Sequence, residues 1–200
     1  ALATCTRLGL QARYIGSVGS DETGKAQLAS LRNENLDLQF VREVEGAASQ
    51  VAIILLEEGI GERTILWRRD PRLNYPADAL RPEMIVDARL LHLDGCDTAA
   101  AIQAARWARE AGIPIVIDID ELYDESTHEL LRMVDYLIAS SDFAEDPHEL
   151  ADRYGCPVVG ITRGAEGASF FSGGHLVKSP AFKVPVADTT GAGDVFHGAF

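Results

Sequence analysis

The strongest constraint on this chain is a rhythm. Between residues 88 and 162, short apolar runs alternate with runs of helical pattern. "ARLLHLD", "IPIVIDI", "DYLIAS" and "PVVGIT" read as strands, and "DTAAAIQAARWAREAG", "DESTHELLRMV" and "DPHELADRYG" as the helices between them. The helices open on Asp or Thr, and two of them stop on Gly, as capping requires. Strands so uniformly apolar are buried on both faces, and strand–helix alternation makes them parallel. The predicted fold class is therefore α/β, with a mostly parallel sheet between helical layers. Ligands in such folds gather beyond the carboxyl ends of the strands. "GASFFSGGHLVKSP" predicts a hairpin after the last parallel strand.

Residues 38–69 break the rhythm. "LQFVREV", "SQVAIILLEE" and "ERTILWRR" are β-rich and show no helical period. They predict an all-β excursion, a mobile lid over the ligand edge. The expected division is a core of residues 1–37 and 70–200 with a β lid of residues 38–69.

"GSVGSDETGKA" matches most of a phosphate-binding loop, G-x-x-x-x-G-K. Such a loop needs a Ser or Thr hydroxyl after the Lys to hold magnesium, and here Ala26 follows Lys25. Asp21 and Glu22 also place negative charge where a polyanion would sit. The stretch reads better as strand, acidic cap and helix.

The net charge of −13 argues against a nucleic-acid surface, which needs clustered Lys and Arg. No apolar run is long enough to span a membrane. Cys5, Cys96 and Cys156 lack metal-type spacing and read as thiols in a reducing, cytoplasmic compartment. The chain opens without Met on what reads as a helix end and stops inside a patterned helix, so a piece of a longer protein is expected. His128 and His148 read as surface residues and His92 as a core residue; the acidic run "DIDELYDES" fits no coordination template.

The chemistry concentrates in "VADTTGAGDVFHGAF". Ala192, Val195, Phe196 and Ala199 fall at helical spacing, so Gly191, Ala192 and Gly193 open a helix. Small residues there leave backbone N–H groups uncovered, an anion hole reinforced by the helix dipole. Asp194 lies in the same first turn. A carboxylate beside an anion site suits a phosphoryl group in transfer, where it accepts the proton of the attacking hydroxyl.

"DTTGAGD" resembles the signature of the ribokinase/PfkB family of carbohydrate kinases, and the resemblance extends along nearly the whole chain. "LGLQARYIGSVGSDETG" is similar to its early strand–turn–helix, "GERTILW" to its lid strand, and "ITRGAEGA" to its nucleotide-side T-x-G-x-x-G turn. "LLHLDG", "VIDID" and "LIASSDFA" look closest to the ketohexokinase-like branch. The resemblance implies a ribokinase-like fold and an ATP-dependent sugar kinase using Mg2+, with a K+ site as a further expectation. It makes Asp194 the catalytic base and gives the Gly191, Ala192 and Gly193 amides the transferring group. Asp188 and Thr190 match monovalent-cation positions. Thr162 and Gly164 match the triphosphate side, and Gly167 shapes that turn. Arg63 matches a lid arginine near the sugar, and Asp94 an acidic residue approaching the substrate. Exposed lid edges imply a homodimer.

The family's N-x-x-E element, which organises magnesium, is replaced by Ser140, Ser141 and Asp142, and His197 stands where Asn is common. Two other readings stay open: a nucleoside kinase, and a non-catalytic sugar- or nucleotide-binding regulator on the same fold. A dinucleotide oxidoreductase needs G-x-G-x-x-G after a strand, which the chain lacks.

Overall fold

The computed structural model describes residues 1–56, 63–186 and 188–200, with the backbone alone at Leu56 and Arg63. The chain divides into two units: Ala1–Tyr75 with Val186–Phe200, and Pro76–Pro185.

The first unit opens with α1 (Leu2–Arg7), β1 (Gly16–Gly19), α2 (Glu22–Asn33) and β2 (Val41–Val44). β1 and β2 pair in parallel, with Gly16 opposite Val41 and Gly19 opposite Val44. Residues 38–69 are therefore not one sheet. "VREV" pairs with β1, whereas β3 (Val51–Leu56) and β4 (Arg63–Arg68) form a separate antiparallel pair. Both faces of that pair are apolar and open: Ile53, Leu66 and Trp67 are all more than half exposed.

The phosphate-loop look-alike resolves into packing. Asp21 caps α2, its carboxylate accepting from the Gly24 N–H at 2.8 Å. It also accepts from the Ser49 hydroxyl at 2.6 Å and the Ser49 N–H at 3.0 Å. The amide that a phosphate would need is thus occupied by the helix's own cap. A Cβ on Gly24 would lie 1.9 Å from the Gly19 carbonyl oxygen, and one on Gly19 2.3 Å from that of Ala47. Both glycines are there for close backbone approach. Lys25 turns aside to Glu22, at 2.6 Å.

The Ser49 and Gly24 donors hold the Asp21 carboxyl below its ordinary range. A carboxyl whose pKa is lowered by folding stabilises the native state above its unfolded value of about 4, and that contribution is lost as pH falls through the native value. Asp21→Asn is expected to melt below the parent at pH 7. The gap should narrow at pH 3, as read by paired thermal melts.

The second unit carries β5 (Leu91–Leu93), α3 (Thr98–Glu110), β6 (Ile115–Ile119), α4 (Thr127–Leu131), β7 (Tyr136–Ser140), α5 (Pro147–Tyr154), β8 (Val158–Thr162), β9 (Ala168–Ser172) and β10 (His175–Ser179). Its six-stranded sheet runs β10-β9-β8-β7-β6-β5. β5 to β8 are parallel, and β9 and β10 are antiparallel additions. Leu137, Ile138 and Ala139 are consecutive on β7 and all fully buried. Neighbours on a strand face opposite ways, so both faces of the sheet are covered. α3 lays Ala100, Ala101, Ala104, Ala105 and Ala108 against its surroundings. Asp146 caps α5 from the His148 N–H at 2.9 Å, Pro147 takes its first turn, and Gly155 ends it at φ 66°. The hairpin predicted at 167–180 is β9–β10, turned by Gly173 and Gly174 at φ 56° and 81°, the signs a type I′ turn needs.

The chain then returns to the first unit, where α6 (Ala192–Ala199) packs on α1. A Cβ on Gly198 would lie 2.3 Å from the Ala1 carbonyl oxygen, so the two helices meet backbone to backbone there. The Cys5 thiol donates to the Gly198 carbonyl at 3.4 Å.

Candidate active site

The candidate residues fall in two groups, one in each unit. In the first unit Gly191 takes φ 78° and turns the chain into α6. That turn folds the Ala192 N–H back onto the Thr189 carbonyl, at 3.0 Å. The amide expected from Ala192 is therefore already engaged. The N–H groups of Gly193 and Asp194 have no acceptor among the described residues, as the first turn of a helix dictates. They, with the positive end of the helix, are the groups of this turn that could receive an anion.

Asp194 sits in that turn with its side chain 69% exposed. Its Oδ1 lies 3.1 Å from the α-amino group of Ala1. Just upstream, the Asp188 carboxylate accepts from the Thr190 N–H at 2.8 Å, so the two expected cation residues form one tight turn. No cluster of three or more acidic, His or Cys side chains able to hold a metal occurs among the described residues. His197 is buried, edge-on to Phe196. Arg63 opens β4, and its side chain lies outside the described residues.

In the second unit the carboxyl ends of β5, β7 and β8 carry Asp94, Ser140 and Thr162. Ser140 pairs with Thr162 across β7 and β8, while two strands separate Asp94 from Thr162. Asp94 closes a local turn, accepting from the Cys96 N–H at 3.1 Å. Tyr123 lies against this turn, where a Cβ on Gly95 would come within 3.5 Å of its ring. Burial first, then the Cys96 thiol, raises the Tyr123 pKa well above the ordinary phenol range, so the hydroxyl stays protonated. Thr162 Oγ1 donates to the Ala139 carbonyl at 3.4 Å. The Ser140 hydroxyl oxygen is buried with no partner among the described residues.

After Thr162 the chain turns through Gly164 at φ 51° and Gly167 at φ 93°. The Gly167 carbonyl accepts from the Arg163 N–H at 2.8 Å, closing the loop. A cleft beside it is lined by Arg163, Glu166, Ala168, Ser169, Lys178 and Ser179. A second depression, bordered by Arg109, Asp135 and Tyr136, lies at the amino-terminal edge of the sheet and contains none of the candidate residues.

Several residues that the motifs do not single out matter. Ser49 completes the Asp21 cap, and Arg163 spans the turn; neither has a sequence signal beyond its neighbours. His128 is half-buried rather than a plain surface residue, with Nδ1 2.9 Å from the Tyr154 hydroxyl. His148 is exposed, as expected, 3.6 Å from Asp152. Burial pushes the Cys156 thiol up to about 11, a structural rather than reactive cysteine.

A helix that opens on uncovered amides with a carboxylate in its first turn, on an α/β scaffold, suits an enzyme of phosphoryl transfer. The sequence matches the pfkB family of carbohydrate kinases over residues 2–200, and the chain belongs to that family. It is 31% identical to the ATP-dependent ribose-1-phosphate kinase of Halopiger xanaduensis, over 99% of this chain and 69% of the relative. It is 28% identical to fructokinase-1 of Zea mays, over 97% of this chain and 68% of the relative. An E. coli protein crystallised with ATP and Mg2+ shares the fold at a TM-score of 0.83 and 21% identity, over 98% of this chain and 71% of that one. No helix among the described residues is long and apolar enough to cross a membrane.

Proposed function

We propose that this protein moves the γ-phosphoryl group of ATP to a hydroxyl of a sugar, with Asp194 as the catalytic base. The observation that carries this is the first turn of α6, where the Asp194 carboxylate stands beside amides that have no acceptor among the described residues. The sugar oxygen attacks the γ-phosphorus and the bond to the bridging oxygen breaks. ADP leaves, and the hydroxyl proton passes to Asp194. The Gly193 and Asp194 amides stabilise charge on the transferred group, with Gly191 setting their direction.

By the family resemblance, Thr162, Gly164 and Gly167 serve the nucleotide, and Asp94 and Arg63 the sugar. Magnesium binds substrate phosphates, waters and one or two carboxylates rather than an all-protein cage. The lack of an acidic cluster among the described residues is compatible with that. Magnesium would supply charge neutralisation on the phosphates. Asp188 and Thr190 would hold a monovalent cation such as K+.

The β3–β4 pair is the lid in this reading. Its exposed Ile53, Leu66 and Trp67 support pairing of two copies, since an apolar surface of this kind marks an interaction site. A monomer in solution scattering of the complete protein counts against that. A cytoplasmic location fits three cysteines that form no disulfide.

The test is ADP release by the complete gene product with ATP, magnesium and a panel of ketoses, aldoses, sugar acids, sugar phosphates and nucleosides. The ribose-1-phosphate kinase relative makes a phosphorylated pentose an early member of the panel. Turnover with one sugar supports the reading. Turnover with a nucleoside alone makes the protein a nucleoside kinase. ATP binding with no turnover moves it to the non-catalytic binder that the Ser140, Ser141 and Asp142 departure would suit.

A further inference from the structure

We infer that Arg163 is a positioning residue for the nucleotide: its guanidinium fixes the Thr162–Gly167 turn against the loop of residues 141–146. This rests on the nucleotide-side reading of that turn. Arg163 sits inside the turn, between Thr162 and Gly164, yet its side chain points back into the protein. Nη1 donates to the Ser169 hydroxyl at 2.5 Å and to the Ile161 carbonyl at 3.4 Å. Nη2 donates to the Glu145 carbonyl. Its own N–H closes the turn onto the Gly167 carbonyl at 2.8 Å.

One rigid, planar fork thus ties three segments: β9 through Ser169, the end of β8 through Ile161, and the 141–146 loop through Glu145. That loop leads from Ser140, and its Ser141 N–H already donates to the Thr162 carbonyl at 3.0 Å. This is also where the family's N-x-x-E element is missing. A turn built on two left-handed glycines has no stiffness of its own. Arg163 supplies it, and so sets where the backbone groups of the turn face a triphosphate.

The experiment compares Arg163→Met and Arg163→Lys with the parent, using the complete protein. ATP affinity is read by direct titration without sugar, and the KM for ATP, the KM for sugar and kcat from turnover. Met keeps the apolar stem of the side chain and loses every guanidinium bond. Lys can reach either Ser169 or Glu145 but cannot bridge them. Arg163→Met is expected to weaken ATP binding and raise its KM about tenfold, the loss of one charge-assisted bond's worth of preorganisation. The sugar KM and kcat stay within about twofold of the parent by the same reckoning. Arg163→Lys falls between, and serves if the Met variant folds poorly.

A purely structural Arg163 lowers the active fraction, so kcat falls while the KM for ATP holds; that result overturns the inference. Thr162→Ala, run beside it, separates the two levels. If Thr162→Ala weakens ATP binding and Arg163→Met does not, the positioning role fails and the nucleotide-side reading stands. If neither changes ATP binding, both fail together.

Discussion

Asp194→Asn lowers kcat on the order of a thousandfold while the protein folds and binds ATP as the parent does. The size follows from what a positioned base contributes, a factor of roughly one hundred to ten thousand, or about 4 kcal/mol of barrier at the middle of that range. Folding is little affected, because the Asp194 side chain is 69% exposed. Asn keeps the shape and the helix-start position and removes only the ability to accept a proton. The Gly193 and Asp194 amides remain, so charge stabilisation is retained and some turnover persists. The measurement is kcat beside an ATP titration and a melting curve. A kcat within tenfold of the parent, with ATP binding intact, removes Asp194 from the base role and leaves the anion hole as the main catalytic device. A loss of ATP binding would instead make Asp194 part of the nucleotide site.

The parts of this molecule that sequence discloses share a property: their signal lies in their own residues. β6 and β7 carry near-continuous apolar runs, Ile115 to Ile117 with Ile119 and Leu137 to Ala139, because both faces are covered, and such a run records that directly. α5 announces itself with Asp146, Pro147 and Gly155 at the positions where capping and backbone geometry demand those types. The β9–β10 turn is legible because paired glycines accept two successive positive φ angles without steric cost.

What stayed hidden depends on partners far along the chain. "VREV" is too short and too mixed to show which strand it pairs with, and its parallel register on β1 is a long-range fact. Local pattern alone groups it with β3 and β4, because nothing within the segment names its partner. The Asp21–Ser49 bonds span 28 residues, and Arg163 reaches a backbone carbonyl at Glu145, an acceptor every residue possesses. The Ala192 amide looked open from its neighbours' small size. Its engagement by Thr189 follows from the φ of 78° at Gly191, which composition does not encode.

Gly167→Ala destabilises the protein by about 3 kcal/mol or more, whereas Gly164→Ala costs about 1 kcal/mol and acts instead on the nucleotide. The two glycines stand in one turn and both have positive φ, so the difference is one of surroundings. Gly167 has φ 93° and ψ −138°, a combination open in practice only to glycine. A Cβ there would sit 2.0 Å from the Ser179 carbonyl oxygen and 2.7 Å from the Ala181 N–H nitrogen, both backbone atoms that cannot turn away. The end of β10 or the turn itself must shift. For a chain of this size the melting temperature falls by about 6–12 °C. At Gly164, φ is 51°, within the left-handed region that other residues enter at a cost of about 1–2 kcal/mol, and nothing lies within 4 Å of an added Cβ. Its melting temperature changes by only a few degrees, about 2–4 °C. That open space is where a phosphate would approach the backbone, so the added methyl should raise the KM for ATP while leaving the sugar KM alone. Melting curves and the two KM values, measured on both variants, decide it. Equal melting losses would mean that the turn is governed by φ alone. An unchanged ATP KM in Gly164→Ala would remove this turn from the nucleotide side.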